Sequence, residues 1–235
     1  MNKEEFYKLI EKDFNIIITD KQKQDLEEFC NLLLEYNKNI NITAINDEEG
    51  VYLKHFYDSL SIVKIIDLNN YETLLDIGSG GGFPGIVLKI CFPKLHVTLL
   101  DSNHKKSDFQ RYICEKLDLK DISINNDRAE KYYLSGNKYD IVVARAVAVL
   151  NVLSELCIPF SKVSGYFIAM KANIEDEVKN AEGAIEFLGG TIENIITFDM
   201  PYNAGKRSLI KVKHINETKD GYPRAYDRIL KKPLK

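Results

Sequence analysis

The stretch LLDIGSGGGFPG, residues 74–85, decides how this chain is read. A short apolar run ends in glycines at 78, 80, 81, 82 and 85, and Pro84 stands where a helix would begin. Glycines there let the backbone turn tightly and let a ligand approach without meeting Cβ atoms. The same alternation continues downstream. Apolar runs at 73–77, 96–101, 122–125, 139–144 and 165–170 read as strands. The segments 84–90, 105–117, 150–156 and 175–188 read as helices between them. Near-continuous apolar strands separated by crossover helices imply a parallel sheet covered on both faces. After Gly189-Gly190 the alternation stops. TIENIITFDM and RSLIKVKHI are joined only by PYNAGK and should pair antiparallel as a hairpin.

Which ligand the loop takes is a separate question. Gly80, Gly82 and Gly85 satisfy G-x-G-x-x-G, and Asp101 follows 21 residues after Gly80 at the end of the next strand. That spacing also fits a dinucleotide. Five parallel strands closed by an antiparallel hairpin are unlike the six-stranded dinucleotide fold, however. They form the α/β, Rossmann-like pattern of class I S-adenosylmethionine methyltransferases. Asp76 supports the methyl donor, because a carboxylate beside the first glycine turn would repel a pyrophosphate, at a cost on the order of kcal/mol in a partly buried site. S-adenosylmethionine instead carries a sulfonium and an ammonium against one carboxylate. Asp101 can accept both ribose hydroxyls or can cap the helix after Ser102. Asp127–Glu130 follows the third strand, at the rim where an adenine would lie, and would otherwise be a capping turn. Arg145 interrupts an apolar run just past the fourth strand. An unpaired buried guanidinium is costly, so it meets an anion, opens onto the cleft, or forms an internal salt bridge.

Residues 1–70 read as a helical extension, 71–215 as the core and 216–235 as a basic tail. Leu26, Phe29, Leu33, Tyr36 and Ile40 make one apolar stripe on a helix that Asp20 would cap and NKNINIT would end, and a second helical stretch spans 48–66. With 45% hydrophobic and 29% charged residues, the 235-residue chain can build a real core. The charged N-terminus carries no secretory signal, and no apolar run approaches bilayer length. Cys30, Cys91, Cys114 and Cys157 form no C-x-x-C pair. Reduced thiols, no metal, no membrane and a cytoplasmic setting are therefore expected. Net charge is −3 overall but +7 over 206–235: an electrostatic footprint for phosphates, a solubilising and partly frayed tail, or a segment that packs back with Tyr222 and Tyr226 as anchors.

Beyond these patterns, NKNINITAI (37–45), KHFYDSL (54–60), DIGSGGGFPG (76–85), LLDS (99–102), NDRAE (126–130), ARAVA (144–148), AMK (169–171) and YPR (222–224) stand in the order of a known family. Over nearly its whole length the chain resembles the bacterial small-subunit ribosomal RNA methyltransferase G family, also called glucose-inhibited division protein B. The resemblance implies transfer of a methyl group from S-adenosylmethionine to guanine N7 in the 530 loop of 16S rRNA, as naked RNA or in the small-subunit particle. Carried onto matching positions, it implies cofactor contacts at Gly78, Phe83, Ala129, Glu130 and Arg145, beside Asp76, Gly80 and Asp101 from the loop reading. Gly81 departs from the alanine or proline of relatives, with no functional consequence. Arg145, His55 and Lys171 are the positioning candidates. The resemblance turns the His55 helix toward the cleft, where His55 is structural or meets substrate. Lys171 meets RNA phosphate or is an ordinary cap or surface lysine. Guanine N7 has a lone pair and no proton, so no general base is needed, and no H-E-x-x-H, G-x-S-x-G or paired-carboxylate motif competes. An NAD-dependent oxidoreductase and a non-catalytic S-adenosylmethionine sensor are the alternatives.

Overall fold

Side chains alternate across β1 (Thr73–Ile77), so Leu74 joins the core on one face of the sheet while Leu75 and Ile77 join the core on the other. The computed structural model describes residues 1–145, 148–172, 174 and 176–235. Among these, β1, β2 (His96–Leu100), β3 (Ile122–Asn125), β4 (Tyr139–Arg145) and β5 (Ser161–Lys171) run parallel. The antiparallel hairpin is β6 (Gly190–Asp199) and β7 (Lys206–His214). The order is β3-β2-β1-β4-β5-β7-β6, so the second hairpin strand slots between β5 and β6. The expected fold class is the one found. Between β1 and β4 the direction of winding reverses, which opens a crevice at the carboxyl ends of these strands.

The N-terminal segment covers one face. α1 (Lys3–Phe14) and α2 (Asp20–Asn37) bury Phe6, Ile10, Leu26, Phe29 and Leu33 completely in the same cluster as Leu74 and Val97 of the sheet. Asp20 is not the cap of α2. Thr19 is, in a capping box: its hydroxyl accepts from Gln22 N–H at 3.3 Å and the Gln22 side chain accepts from Thr19 N–H at 2.8 Å. This reciprocal pair satisfies two otherwise orphaned donors, which Asp20 one position later would not do. The stretch expected to be one helix over 48–66 changes pitch along its length. It contains a π-helix at Val51–Tyr57, an α-helical turn at Asp58–Leu60 and a 3₁₀ turn at Ser61–Lys64.

α3 (Gly85–Cys91) and α4 (His104–Lys116) lie on the same side as the N-terminal helices, while α5 (Leu150–Cys157) and α6 (Glu177–Phe187) cover the opposite face. Ala146 and Val147 of the ARAVA block, and Glu175 at the start of the expected fourth crossover helix, fall outside the described residues. No helix among the described residues is long and apolar enough to cross a membrane.

The basic terminal segment packs back onto the domain. α7 (Tyr226–Lys231) buries Ile229 fully against the α5 side. Arg224 grips Glu155 of α5 with both Nε (2.7 Å) and Nη2 (2.6 Å) and adds its backbone N–H at 2.9 Å. Lys231, Lys232 and Lys235 stay exposed. Because Glu155 is completely buried, Arg224→Ala would strand its carboxylate without a counterion. A loss of about 3–5 kcal/mol is expected in urea unfolding, whereas replacing both partners by apolar residues of similar volume should recover most of it.

Candidate active site

The glycine loop leaves β1 and is held by side chains from its neighbours. Gly78 N–H and Ser79 N–H donate to Leu100 O at 2.8 and 3.2 Å. Gly80, at φ +57°, donates its N–H to Asp101 Oδ2 at 2.8 Å. Gln110 of α4 donates to Ser79 Oγ at 2.8 Å and to Gly80 O at 2.7 Å. A Cβ at Gly82, where φ is +91°, would lie 2.4 Å from the Ile86 side chain, so glycine is required there both sterically and conformationally. Asp101 is not the cap of α4, which is Asn103. Its Oδ1 accepts Asn103 N–H at 2.8 Å in an Asx turn, so the carboxylate joins loop and helix at the cleft edge.

Asp76 lies behind the loop. It shares the Leu74 face of β1, is completely buried, and accepts Gly85 N–H on Oδ2 at 2.8 Å, while Oδ1 has no protein partner. Burial pushes its carboxyl up to about 7, against the Gly85 hydrogen bond and the charge of Arg145. It lines no part of the cleft, so repulsion of a pyrophosphate by a carboxylate facing the ligand does not operate here. The strand's two-residue period turns Asp76 toward α3 instead.

The cleft itself has a volume of about 460 Å³. Gly78, Gly80, Phe83, Asp101, Ala129, Glu130, Arg145 and His55 all line it. Lys171 does not. It borders an adjoining cavity of about 610 Å³, where its ammonium donates to Ala148 O at 2.7 Å and pairs with Glu177 at 2.8 Å. His55 and Arg145 line both spaces and so form their shared wall. Thr43 and Lys106 also line the first cleft and were not singled out from sequence, and so does Tyr226, which the sequence offered only as a packing anchor. Thr43 had a signal in the NKNINITAI block, which was read as a helix exit and as a family segment without assigning Thr43 a role.

The shared wall is built around charge. Arg145 Nη1 meets Asp58 Oδ2 at 3.1 Å, and Arg207 Nε of β7 meets Asp58 Oδ1 at 2.9 Å. Arg145 Nη2 lies 3.2 Å from His55 Nδ1, and His55 Nε2 lies 2.8 Å from Thr43 Oγ1. A guanidinium can only donate, so Nδ1 accepts and the proton sits on Nε2, donated to Thr43. Burial, and then Arg145, lower the His55 pKa to about 3. The ring is therefore neutral with both nitrogens engaged, which removes it as a general base. It stacks on Phe83 at 4.2 Å between centroids and 7° between planes. Phe83 in turn stacks on Phe29 of α2 at 5.2 Å. A Cβ at Gly81 would press on Phe83 at 2.9 Å and on Ile42 at 3.0 Å, so the extra methyl of an alanine would shift those two side chains.

Residues 22–210 match the family model described as GidB, rRNA small subunit methyltransferase G. The chain is 44% identical over 236 residues to ribosomal RNA small subunit methyltransferase G of Staphylococcus carnosus, covering 96% of this chain and 97% of that one. It is 47% identical over 224 residues to the protein of the same name from Acetivibrio thermocellus, covering 94% and 92%. Among solved structures, TYW2 of M. jannaschii in complex with AdoMet superposes with a TM-score of 0.51 at 15% identity, over 62% of this chain and 70% of that one. The ribosomal protein L11 methylase of Lactobacillus delbrueckii subsp. bulgaricus gives a TM-score of 0.50 at 16% identity, over 73% and 81%. At these identities the likeness is one of fold.

Asp76 gives a pH test with a definite sign. Its carboxyl has a pKa of about 7 in the folded chain against an ordinary 3.8, so between these values the folded state holds a proton that the unfolded state has lost. Stability contributed by this group is present at low pH and declines as pH rises through that window. Asp76→Asn cannot titrate. Its melting temperature relative to wild type should therefore rise from pH 4 to pH 7 and level off above, and a constant difference across that range contradicts the assignment.

Proposed function

The chain belongs to the rRNA small subunit methyltransferase G family, and from that premise we propose that it transfers a methyl group from S-adenosylmethionine to N7 of a guanine in the 530 loop of 16S rRNA. The observation that carries this reading is the cleft at the carboxyl ends of β1 and β4, which adjoins a second cavity across the shared residues His55 and Arg145. Two ligands that must exchange a group need two adjoining spaces.

The residues present fit the donor. The Asp101 carboxylate stands at the cleft edge, fixed by two backbone N–H groups, and retains lone pairs for ribose hydroxyls. Leu100, Ala129 and Leu156 supply apolar surface beside it for a planar base. Gly78 and Gly80 leave backbone uncovered at the other end, with Lys106 available to a carboxylate. S-adenosylmethionine, when bound, supplies a methyl group made electrophilic by a positively charged sulfur.

This chain's residues then have to position and exclude water. Guanine N7 attacks without losing a proton, which agrees with a site whose histidine has no free nitrogen. Phe83, His55 and Arg145 form a packed cluster at the border of the two spaces, and its shape sets where an acceptor can lie; alignment of reacting atoms supplies most of the rate in such a reaction. We read the substrate as 16S rRNA, naked or within the small-subunit particle, and the protein as cytoplasmic. The exposed Lys231, Lys232 and Lys235, together with Lys54 at the second cavity, offer charge to phosphates.

The decisive experiment uses small subunits from a strain lacking the gene, the purified protein and labelled S-adenosylmethionine. One labelled guanine within the 530 loop, located by mass spectrometry, is expected, and label elsewhere or none overturns the reading. Asp101→Ala should weaken donor binding in calorimetry by about 1–3 kcal/mol, while NAD gives no binding signal. Replacing Lys231, Lys232 and Lys235 by alanine leaves the packed Leu234 in place. It should flatten the slope of log RNA affinity against log salt by about 0.7 for each lost phosphate contact. Parallel slopes would mean that these lysines do not touch RNA.

A further inference from the structure

The C-terminal segment reaches the cleft that we read as the donor site. Tyr226, the first residue of α7, lines it at the rim formed by Asp127, Arg128, Ala129 and Glu130. Its backbone N–H lies 3.4 Å from Glu130 Oε1, and the Arg128 guanidinium lies 5.6 Å from the centre of its ring. A carboxylate, a guanidinium and an aromatic face thus meet at one edge, beside the apolar wall of Leu100 and Leu156.

Two anchors hold the tyrosine there. Arg224, two residues earlier, closes its fork on the buried Glu155, and Ile229, three residues later, is fully buried. Glu155 and Leu156 are neighbours on α5, so the helix that receives the anchor also presents the cleft wall. Tyr226 is only half-buried.

We propose that Tyr226 is a binding residue for the nucleoside end of the donor, and that the C-terminal segment is a cover for this end of the cleft. An aromatic ring suits a planar base by offset or edge contact and gives up little side-chain entropy, since it has two rotatable bonds. Anchored on Glu155, the segment is pre-positioned to close on a base lying between Asp101 and the Asp127–Glu130 rim. Donor binding should then order residues 222–231, although they lie more than 90 residues beyond that rim in sequence. The assignment rests on the reading of this cleft as a donor site.

Calorimetry on the full chain tests it with two ligands, S-adenosylmethionine and 5′-methylthioadenosine, which keeps the nucleoside and lacks the amino-acid end. Tyr226→Ala should weaken both by the same factor, roughly three- to tenfold for one lost aromatic contact. Tyr226→Phe should stay within about twofold of wild type, and thermal unfolding of both variants without ligand checks that the fold is intact. Hydrogen exchange in 222–231 should slow when either ligand is added to wild type. If wild type binds the ligands but Tyr226→Ala binds them equally well, or loses affinity for S-adenosylmethionine alone, Tyr226 does not contact the nucleoside and the proposal falls. If wild type binds neither ligand, the donor reading falls and this proposal with it.

Discussion

The guanidinium of Arg145 at the carboxyl end of β4 must have its charge met, and the arrangement of the site follows from how that is done. Its side chain is 15% exposed, and its main counterion, Asp58, is 6% exposed. Breaking one member of such a buried pair strands the other, which typically costs several kcal/mol. Asp58 lies in the N-terminal helical run, and its second oxygen is taken by Arg207 of β7. One carboxylate thereby ties the N-terminal segment, the middle of the sheet and the closing hairpin together. The N-terminal helices are thus part of the site: removing them would uncover a charge as well as an apolar face.

From that tie the partition between the two cavities is built outward. His55 can accept from Arg145 only as a neutral ring, and burial lowers its pKa to about 3, so proton placement and hydrogen bonding agree. Phe83 then stacks on one side against His55 and on the other against Phe29, which makes the loop's only aromatic residue a bridge to α2. Such a wall has few ways to move. That property matters where catalysis consists of holding two molecules in line, because small misplacements cost orders of magnitude in rate.

The glycine loop shows the complementary arrangement. Its backbone is held by Asp101, Gln110 and Asp76, each from a different element. The acidic residue of β1 works from beneath, at the start of α3, where a carboxyl near neutrality fixes the turn without carrying a full charge into the core. Of Asp76 and Asp101, the one that lines the cleft is Asp101, at the end of β2.

By itself the sequence determined the order and type of the core elements, the hairpin, the glycine turn and the placement of Asp101 and Arg145 near strand ends. Hydrophobic period and turn residues are local properties, and parallel strands with crossover helices leave little freedom in how they combine. The N-cap at Thr19 instead of Asp20 was also a local matter, since the T-x-x-Q box stands in the sequence. Tertiary structure alone decided the rest. Along 51–57 every residue but Lys54 is buried, so apolar spacing does not distinguish its π-helical pitch from an α-helix. Whether Asp76 faces ligand or α3 depends on which side of the sheet receives the helix. The pairing of Asp58 with Arg145 and Arg207, and the return of Tyr226 to the rim of Glu130, join residues 87, 149 and 96 positions apart. Contacts of that kind are set by how buried charge and apolar surface are satisfied in the assembled fold, a condition that no local stretch of the chain contains.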